Sequence, residues 1–386
     1  MTDHLNPLQS LKEGHWFKLI CGASFQHLPA VRSLTLAYTL AGADCIDVPA
    51  DPAVIAAVRE ALQVAAELAQ DAQARGFGKK GKLPFLMVSL NDGEDPHFRK
   101  AKFNSTECPP NCHRPCEKIC PAQAIKFSNK PELFSGVISE KCYGCGRCIP
   151  VCPFEKIYTN SYVIKPEAIA PLILSTGVDA IEIHTQIGRL TEFQQLWQAI
   201  SPWVEQLQLV AISCPDGEGM IDYLHTLYDA IATHKITLIW QTDGRPMSGD
   251  IGDGATTAAV KLGQKVLAAN LPGYVQLAGG TNSYTVAKLK AMGLLRNGGQ
   301  GGQGGQGRIS PVSPVSFLSP PSPSISGVAY GSYARVLLSP ILEELEAREV
   351  NDTSVKTTVR LEDEPELLWQ AVGLAHSLVS QLKSQQ

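Results

Sequence analysis

A block of cysteines constrains this chain more than anything else in it. Of eleven cysteines in 386 residues, eight fall between Cys108 and Cys152; only Cys21, Cys45 and Cys214 lie elsewhere. The second half of the block, "CYGCGRCIPVCP", places Cys142, Cys145, Cys148 and Cys152 ahead of Pro153. This is the C-x2-C-x2-C-x3-C-P run, in which three closely spaced thiolates seat one iron–sulfur cube and the fourth ligates another. Gly144 and Gly146 let such a loop curl round a cube and aim backbone N–H groups at its sulfides. The first half ends the same way, Cys116-x3-Cys120-Pro121, and "CEKICPAQAI" aligns with "CIPVCPFEKI" at a separation of 32 residues. Two related halves that exchange their last ligand predict one cluster on Cys108, Cys112, Cys116 and Cys152. They predict a second on Cys142, Cys145, Cys148 and Cys120.

The first half departs from the pattern. Its spacing is C-x3-C-x3-C, stiffened by Pro109 and Pro110, so that cluster is either a [4Fe–4S] cube in a wider loop or a [3Fe–4S] form lacking a ligand. Structural zinc is the alternative for the whole block. Four-cysteine zinc sites, however, use separated C-x2-C pairs and do not call for a proline after the last ligand. His113, between ligands, reads as a solvated side chain. The N-terminal "MTDHLNPLQSLKEGHW" has neither a basic nor an apolar export region, so clustered cysteines point to metal ligation rather than disulfides and the expected location is cytoplasmic. A net charge of −4 gives no reason to expect nucleic acid, and no apolar run is long enough to span a bilayer.

Outside the block, short apolar runs alternate with helical patterns. The runs are "WFKLICGAS", "DCIDVPA", "LPFLMVSLN", "DAIEIHT", "LQLVAISCP", "ITLIWQTDG", "YVQLAGG" and "GVAYGSY". Eight strands separated by helices predict an α/β fold, a (β/α)8-like barrel with the two-cluster ferredoxin-type module inserted after the third strand; a doubly wound open α/β sheet is the alternative. The barrel is expected to comprise residues 1–103 and 159–348, the module 104–158, and a C-terminal amphipathic helical extension 349–386. Residues 297–326 are rich in Gly, Gln, Ser and Pro and read as a flexible low-complexity insertion. In the extension, Leu368, Ala371, Val372, Ala375, Leu378, Val379 and Leu382 share one helical face.

In a barrel the loops after the strands form the working face. Gly279 and Gly280 end the seventh strand; Gly331 and Ser332 end the eighth, ahead of a short helix and a break at Pro340. These positions suit a phosphate or flavin grip, or else simply turn the chain. After the sixth strand, Asp243, Arg245, Asp250 and Asp253 sit among glycines, as an anion-binding loop or a structural cover. Glu182 and His184 alternate onto one face of the fourth strand as weak acid–base candidates. Cys214 reads as a core-edge residue rather than a nucleophile. No lysine at a strand end presents itself as a partner for a flavin ring.

With the cysteine block, "QTDGRPMSGDIGDG" and "GVAYGSYARVLLSPIL" together, the chain resembles the cyanobacterial light-dependent period family, over most of its length except the low-complexity stretch. The resemblance implies a redox-responsive input to the circadian clock, in which clusters report photosynthetic electron transport and tune the period. It implies clock-associated partners, including KaiA and the kinases CikA and SasA, and no enzymatic reaction; a redox partner such as the quinone pool or a ferredoxin is left open. The competing reading is a ferredoxin-linked, flavin-dependent oxidoreductase with its active site in the barrel.

Overall fold

The computed structural model describes residues 7–21, 30–78, 83–93, 99–120, 122–128, 134–142, 144, 146–161, 166–244, 254–295, 324–351, 354–355 and 359–383. Eight parallel strands close into a barrel: β1 (Trp16–Ile20), β2 (Cys45–Pro49), β3 (Phe85–Asn91), β4 (Ala180–His184), β5 (Leu209–Ser213), β6 (Thr237–Asp243), β7 (Tyr274–Ala278) and β8 (Ile325–Tyr330). Each strand pairs with the next in sequence, and β8 returns to β1 through Trp16 opposite Gly327. Closure excludes the doubly wound open sheet. It follows from the sequence, because every strand carries apolar residues on both faces and needs helices outside and neighbours inside.

The helices are α1 (Pro7–Glu13), α2 (Val31–Ala41), α3 (Pro52–Glu67), α4 (Ala69–Ala74), α5 (Pro115–Lys118), α6 (Pro166–Leu174), α7 (Leu190–Ile200), α8 (Met220–Ile231), α9 (Thr256–Ala268), α10 (Thr285–Ala291), α11 (Ser332–Ala347) and α12 (Pro365–Lys383). Strand alternation sorts the core into two parts. Phe17 and Leu19 point outward into the layer between strands and helices, where Phe17 stacks on Tyr38 and Tyr330 with ring centroids 5.9 and 5.1 Å apart. Trp16, Cys45, Phe85, Met87, Ala211 and Ile239 point inward and fill the N-terminal end of the barrel, which Leu11 of α1 plugs. Gly327 is required there: a Cβ would lie 2.4 Å from the Trp16 carbonyl oxygen and 2.5 Å from its Cβ.

The apolar face of α12 is buried as its periodicity predicts, with Leu368, Ala371, Val372, Ala375, Leu378, Val379 and Leu382 all in the core and the helix packed on α2, α10 and α11. One expectation needs correction. The helix after β8 is neither short nor broken at Pro340; α11 runs unbroken from Ser332 to Ala347 with Pro340 inside it. A proline there forfeits one backbone hydrogen bond, and the burial of Ala334, Leu338, Ile341 and Leu345 along the same helix offsets it. The strand β8 begins at Ile325, inside the stretch read as low complexity, and residues 296–323 lie outside the described residues.

The inserted module leaves the barrel after β3 and returns before α6. Its neck is an antiparallel pair, Arg99–Lys102 against Tyr158–Ser161, with a smaller pair, Ile125–Lys126 against Gly136–Val137, further out. It has its own core of Ala101, Phe103, Ile119, Ala124, Ile125 and Ile157 packed round the cysteines. Among the described residues, two polar ties join it to the barrel. Lys100 of the neck lies 3.4 Å from Asp51, which also caps α3 by accepting from the Ala53 N–H at 2.8 Å. Arg147 reaches Glu349 at the end of α11.

Candidate metal centre and barrel interior

Seven of the eight block cysteines lie among the described residues, and all seven are free thiols; Cys145 lies outside them. The described cysteines lie in two neighbourhoods. Cys108 feels the charge of Cys112 and Cys152, and Cys116 feels Cys152, Cys112 and Cys108. Cys120, Cys142 and Cys148 line one small cavity with Gly144 and Gly146. Both glycines are left-handed, φ 75° and 76°, which is what bends the loop around that space. The cavity walls are otherwise apolar, from Ala101, Ala122, Ala124 and Ile125.

The donor set suits an iron–sulfur cluster. Cys116, Cys120, Cys142 and Cys148 are buried, and Cys108, Cys112 and Cys152 are half-buried. Backbone N–H groups already point at sulfur: Ala124 donates to Cys120 Sγ at 3.2 Å, Ala101 to Cys142 Sγ at 3.4 Å, Arg114 to Cys112 Sγ at 3.4 Å and Lys156 to Cys152 Sγ at 3.4 Å. Such bonds stabilise charge on thiolates and raise a cluster's potential. Burial pushes the Cys116 thiol up to about 12, with Cys152 adding to the rise, so ligation must displace its proton. His113 is exposed, as expected of a solvated residue.

The barrel interior holds a second constellation, above the apolar layer and toward the C-terminal ends of the strands. Lys18 on β1 is 0% exposed and lies 2.8 Å from Asp47 on β2. Its ammonium also contacts Glu182 on β4 and donates to Gln241 Oε1 on β6 at 3.0 Å. The Gln241 amide donates to Glu182 Oε1 at 2.5 Å and reaches Asp243 Oδ1 at 3.3 Å. Gln276 Nε2 donates to Gln241 Oε1 at 2.7 Å, and Trp16 Nε1 to Gln276 Oε1 at 2.6 Å. Ser89 Oγ donates to Asp47 at 2.7 Å. On the mouth side, His184 stands 3.4 Å from Glu182, its Nδ1 2.6 Å from Ser213 Oγ.

The electrostatics of this box follow from one cation facing three carboxylates. Burial opposes the Lys18 charge, but Asp47 and Glu182 outweigh it and hold the ammonium protonated. Against burial, which alone would raise it, Lys18 and His184 draw Glu182 down to about 2. Burial, then the Glu182 charge, pushes Asp243 up to about 6. Burial also pushes Asp47 up to about 6, with Lys18 opposing.

Glu182 and His184 thus do share one inward face, and Asp243 joins them. Arg245, Asp250 and Asp253 lie outside the described residues. Gly279 and Gly280 are left-handed, φ 61° and 98°. A Cβ at Gly280 would lie 2.8 Å from the Ala255 carbonyl oxygen, so that glycine is needed for the turn to pass under α9. The following Thr281 donates to Ala329 O at 2.6 Å, tying the β7 turn to β8. Gly331 and Ser332 open α11, where buried Arg335 donates to Ile20 O at 3.0 Å and to Ser332 Oγ at 3.1 Å. Cys214 is buried and burial pushes its thiol up to about 12, which suits a core-edge residue and not a nucleophile.

Sequence reading missed Lys18, Asp47, Gln241, Gln276 and Ser213. Their signal was polarity at inward positions of otherwise apolar strands: Lys18 in "WFKLI", Asp47 in "CIDVP" and Gln241 in "LIWQTD".

The Light dependent period A C-terminal domain matches residues 172–381, and the LdpA Fe-S cluster-binding domain matches residues 108–163. The chain is also 47% identical over 377 residues to Light dependent period A of Synechococcus elongatus, covering 98% of this chain and 94% of that protein. The chain belongs to the light dependent period A family. Its cysteine block is therefore the family's iron–sulfur cluster-binding domain. Among solved structures, the tryptophan synthase alpha chain of Legionella pneumophila aligns over 99% of this chain and 98% of that one, at TM-score 0.39 and 11% identity. A Mycobacterium tuberculosis tryptophan synthase aligns over 99% of both at TM-score 0.39 and 13% identity. Likeness at that level bears on no activity; the barrel assignment rests on the strand order itself. Among the described residues no helix is long and apolar enough to cross a membrane.

Proposed function

We propose that this protein is a redox sensor in which two clusters, on Cys108, Cys112, Cys116 and Cys152 and on Cys120, Cys142, Cys145 and Cys148, report electron-transport state to the circadian clock and tune its period. Family membership supports the clock context. The observation that carries the sensing mechanism is Arg147. It sits in the ligand loop immediately before Cys148, and its guanidinium forks onto both oxygens of Glu349, which is 2% exposed. Glu349 also accepts the Val359 N–H at 2.9 Å, so one carboxylate joins the cluster loop, the end of α11 and the segment leading to α12.

Arg147 precedes Cys148, one of the residues that would hold a cluster, so added negative charge on that loop would compete with Glu349 for the guanidinium and would repel the carboxylate. As a general scale, two unit charges ~8 Å apart at an effective dielectric of about 20 interact by on the order of 2 kcal/mol. A bias of that size shifts a two-state equilibrium by more than tenfold. Room for the shift is present, because the seam beside Arg147 and Glu349 is a cavity of about 320 Å³ lined also by Lys141, Glu346 and Arg360. Clock components of the KaiA, CikA and SasA kind are the partners that would read the altered seam.

Hydrogen exchange at the Val359 amide, compared between oxidised and reduced protein under anaerobic conditions, tests this reading. Exchange should speed on reduction, and Glu349→Gln should abolish the difference. Equal protection in both redox states of the native chain would sink the mechanism. A stoichiometric flavin released on denaturation would instead favour the oxidoreductase reading, with Gly279, Gly280, Gly331 and Ser332 as its grip.

A further inference from the structure

Glu182, His184 and Asp243 each offer one ligand atom, and those atoms lie within 4.8 Å of one another. From this geometry we infer a divalent-cation site at the mouth of the barrel, formed by these three side chains and separate from the cysteine module. The neighbours are arranged as a metal site needs. Ser213 Oγ lies 2.6 Å from His184 Nδ1; with Nδ1–H donating to that hydroxyl, the Nε2 lone pair faces Glu182 Oε1 at 3.4 Å. Fixing one imidazole nitrogen so that the other is free is the usual way a protein orients a metal-ligating histidine.

The carboxylates are oriented too. Gln241 Nε2 donates to Glu182 Oε1 at 2.5 Å and to Asp243 Oδ1 at 3.3 Å, holding both on the same side of the barrel. Among the described residues Lys18 is the one lysine or arginine of the box, and its ammonium contacts Asp47 and Glu182. Three carboxylates against one ammonium leave an excess of two negative charges, which a divalent ion neutralises. One imidazole with two carboxylates suits Mn²⁺, Fe²⁺ or Zn²⁺ rather than Ca²⁺, which takes more oxygen ligands. His184 is 38% exposed, so the site opens toward the mouth and leaves coordination positions for water or a small anionic ligand.

Mn²⁺ binding to the cluster-loaded full chain tests the site directly. At room temperature the six-line EPR signal of free Mn²⁺ disappears as the ion binds, and fast relaxation keeps cluster signals out of that spectrum. One Mn²⁺ per chain should bind to the native protein. His184→Ala and the isosteric Asp243→Asn should each abolish binding while far-UV circular dichroism and cluster absorbance stay unchanged. Ser213→Ala should weaken binding by about 10- to 100-fold, and Cys142→Ser should leave it intact. Failure of the native chain to bind Mn²⁺, or equal binding by native, His184→Ala and Asp243→Asn proteins, would overturn the assignment.

Discussion

Replacing Lys18 by Met tests whether the barrel interior is held as a charged box. Methionine matches the volume of the lysine stem and removes only the ammonium. Lys18 is 0% exposed, and its partners Asp47 and Glu182 are 2% and 0% exposed. After the change those two carboxylates stay buried without the ammonium they share, and Gln241 Oε1 loses its 3.0 Å donor. Removing one partner of a buried ion pair costs about 3–5 kcal/mol, far more than the pair is worth against an apolar replacement. Against a total stability of about 5–15 kcal/mol, that is a large fraction. Urea unfolding followed by far-UV circular dichroism, in chelator-treated protein, should show a correspondingly lower midpoint. A second change, Glu182→Gln, in the Lys18→Met background should recover about half of the loss, because it removes one of the stranded charges. A single-variant loss below about 1 kcal/mol, the range of an exposed pair, would refute the reasoning, as would a double variant no more stable than Lys18→Met.

Three further outcomes are expected. Asp243 has a carboxyl raised from 3.8 to about 6, so the stability it contributes is fully present below about 4 and is lost as pH rises through 6. Asp243→Asn should therefore gain on the native chain as pH increases, by as much as about 3 kcal/mol, and a gap in melting temperature that does not widen between acidic and neutral pH would contradict this. Gly280→Ala places a Cβ 2.8 Å from the Ala255 carbonyl oxygen at φ 98°; a loss of more than about 1 kcal/mol is expected, and a neutral result in thermal melts would rule out the tight turn. Leu378 of α12 is 1% exposed, so Leu378→Ala should cost about 2–5 kcal/mol, measurable by denaturant titration; an unchanged midpoint would mean that α12 does not help hold the barrel together.

Much of the fold can be read along the chain because each strand announces itself locally. "CIDVP" and "LVAIS" are short apolar runs between helical patterns, and their order dictates a barrel once there are eight. The iron–sulfur character of the cysteine block is equally local, carried by a repeat of 32 residues. What escaped reading depends on closure. Lys18 and Glu182 are 164 positions apart, and Gln241 lies 59 from Glu182; only the strand order brings them to one point. A lysine inside "WFKLI" is visible as an anomaly, but its partners are not. Arg147 and Glu349, 202 positions apart, escaped for the same reason, since each alone looks like an ordinary surface charge. Pro340 misled in the other direction: proline favours a break locally, and packing of α11 against the barrel overrode it.

Iron and acid-labile sulfide analysis of anaerobically purified protein, with low-temperature EPR on the same sample, tests the two-cluster assignment most directly. About eight irons and eight sulfides per chain are expected, with Cys142→Ser retaining about half. About four irons or fewer in the native chain, or zinc in place of iron, would contradict it.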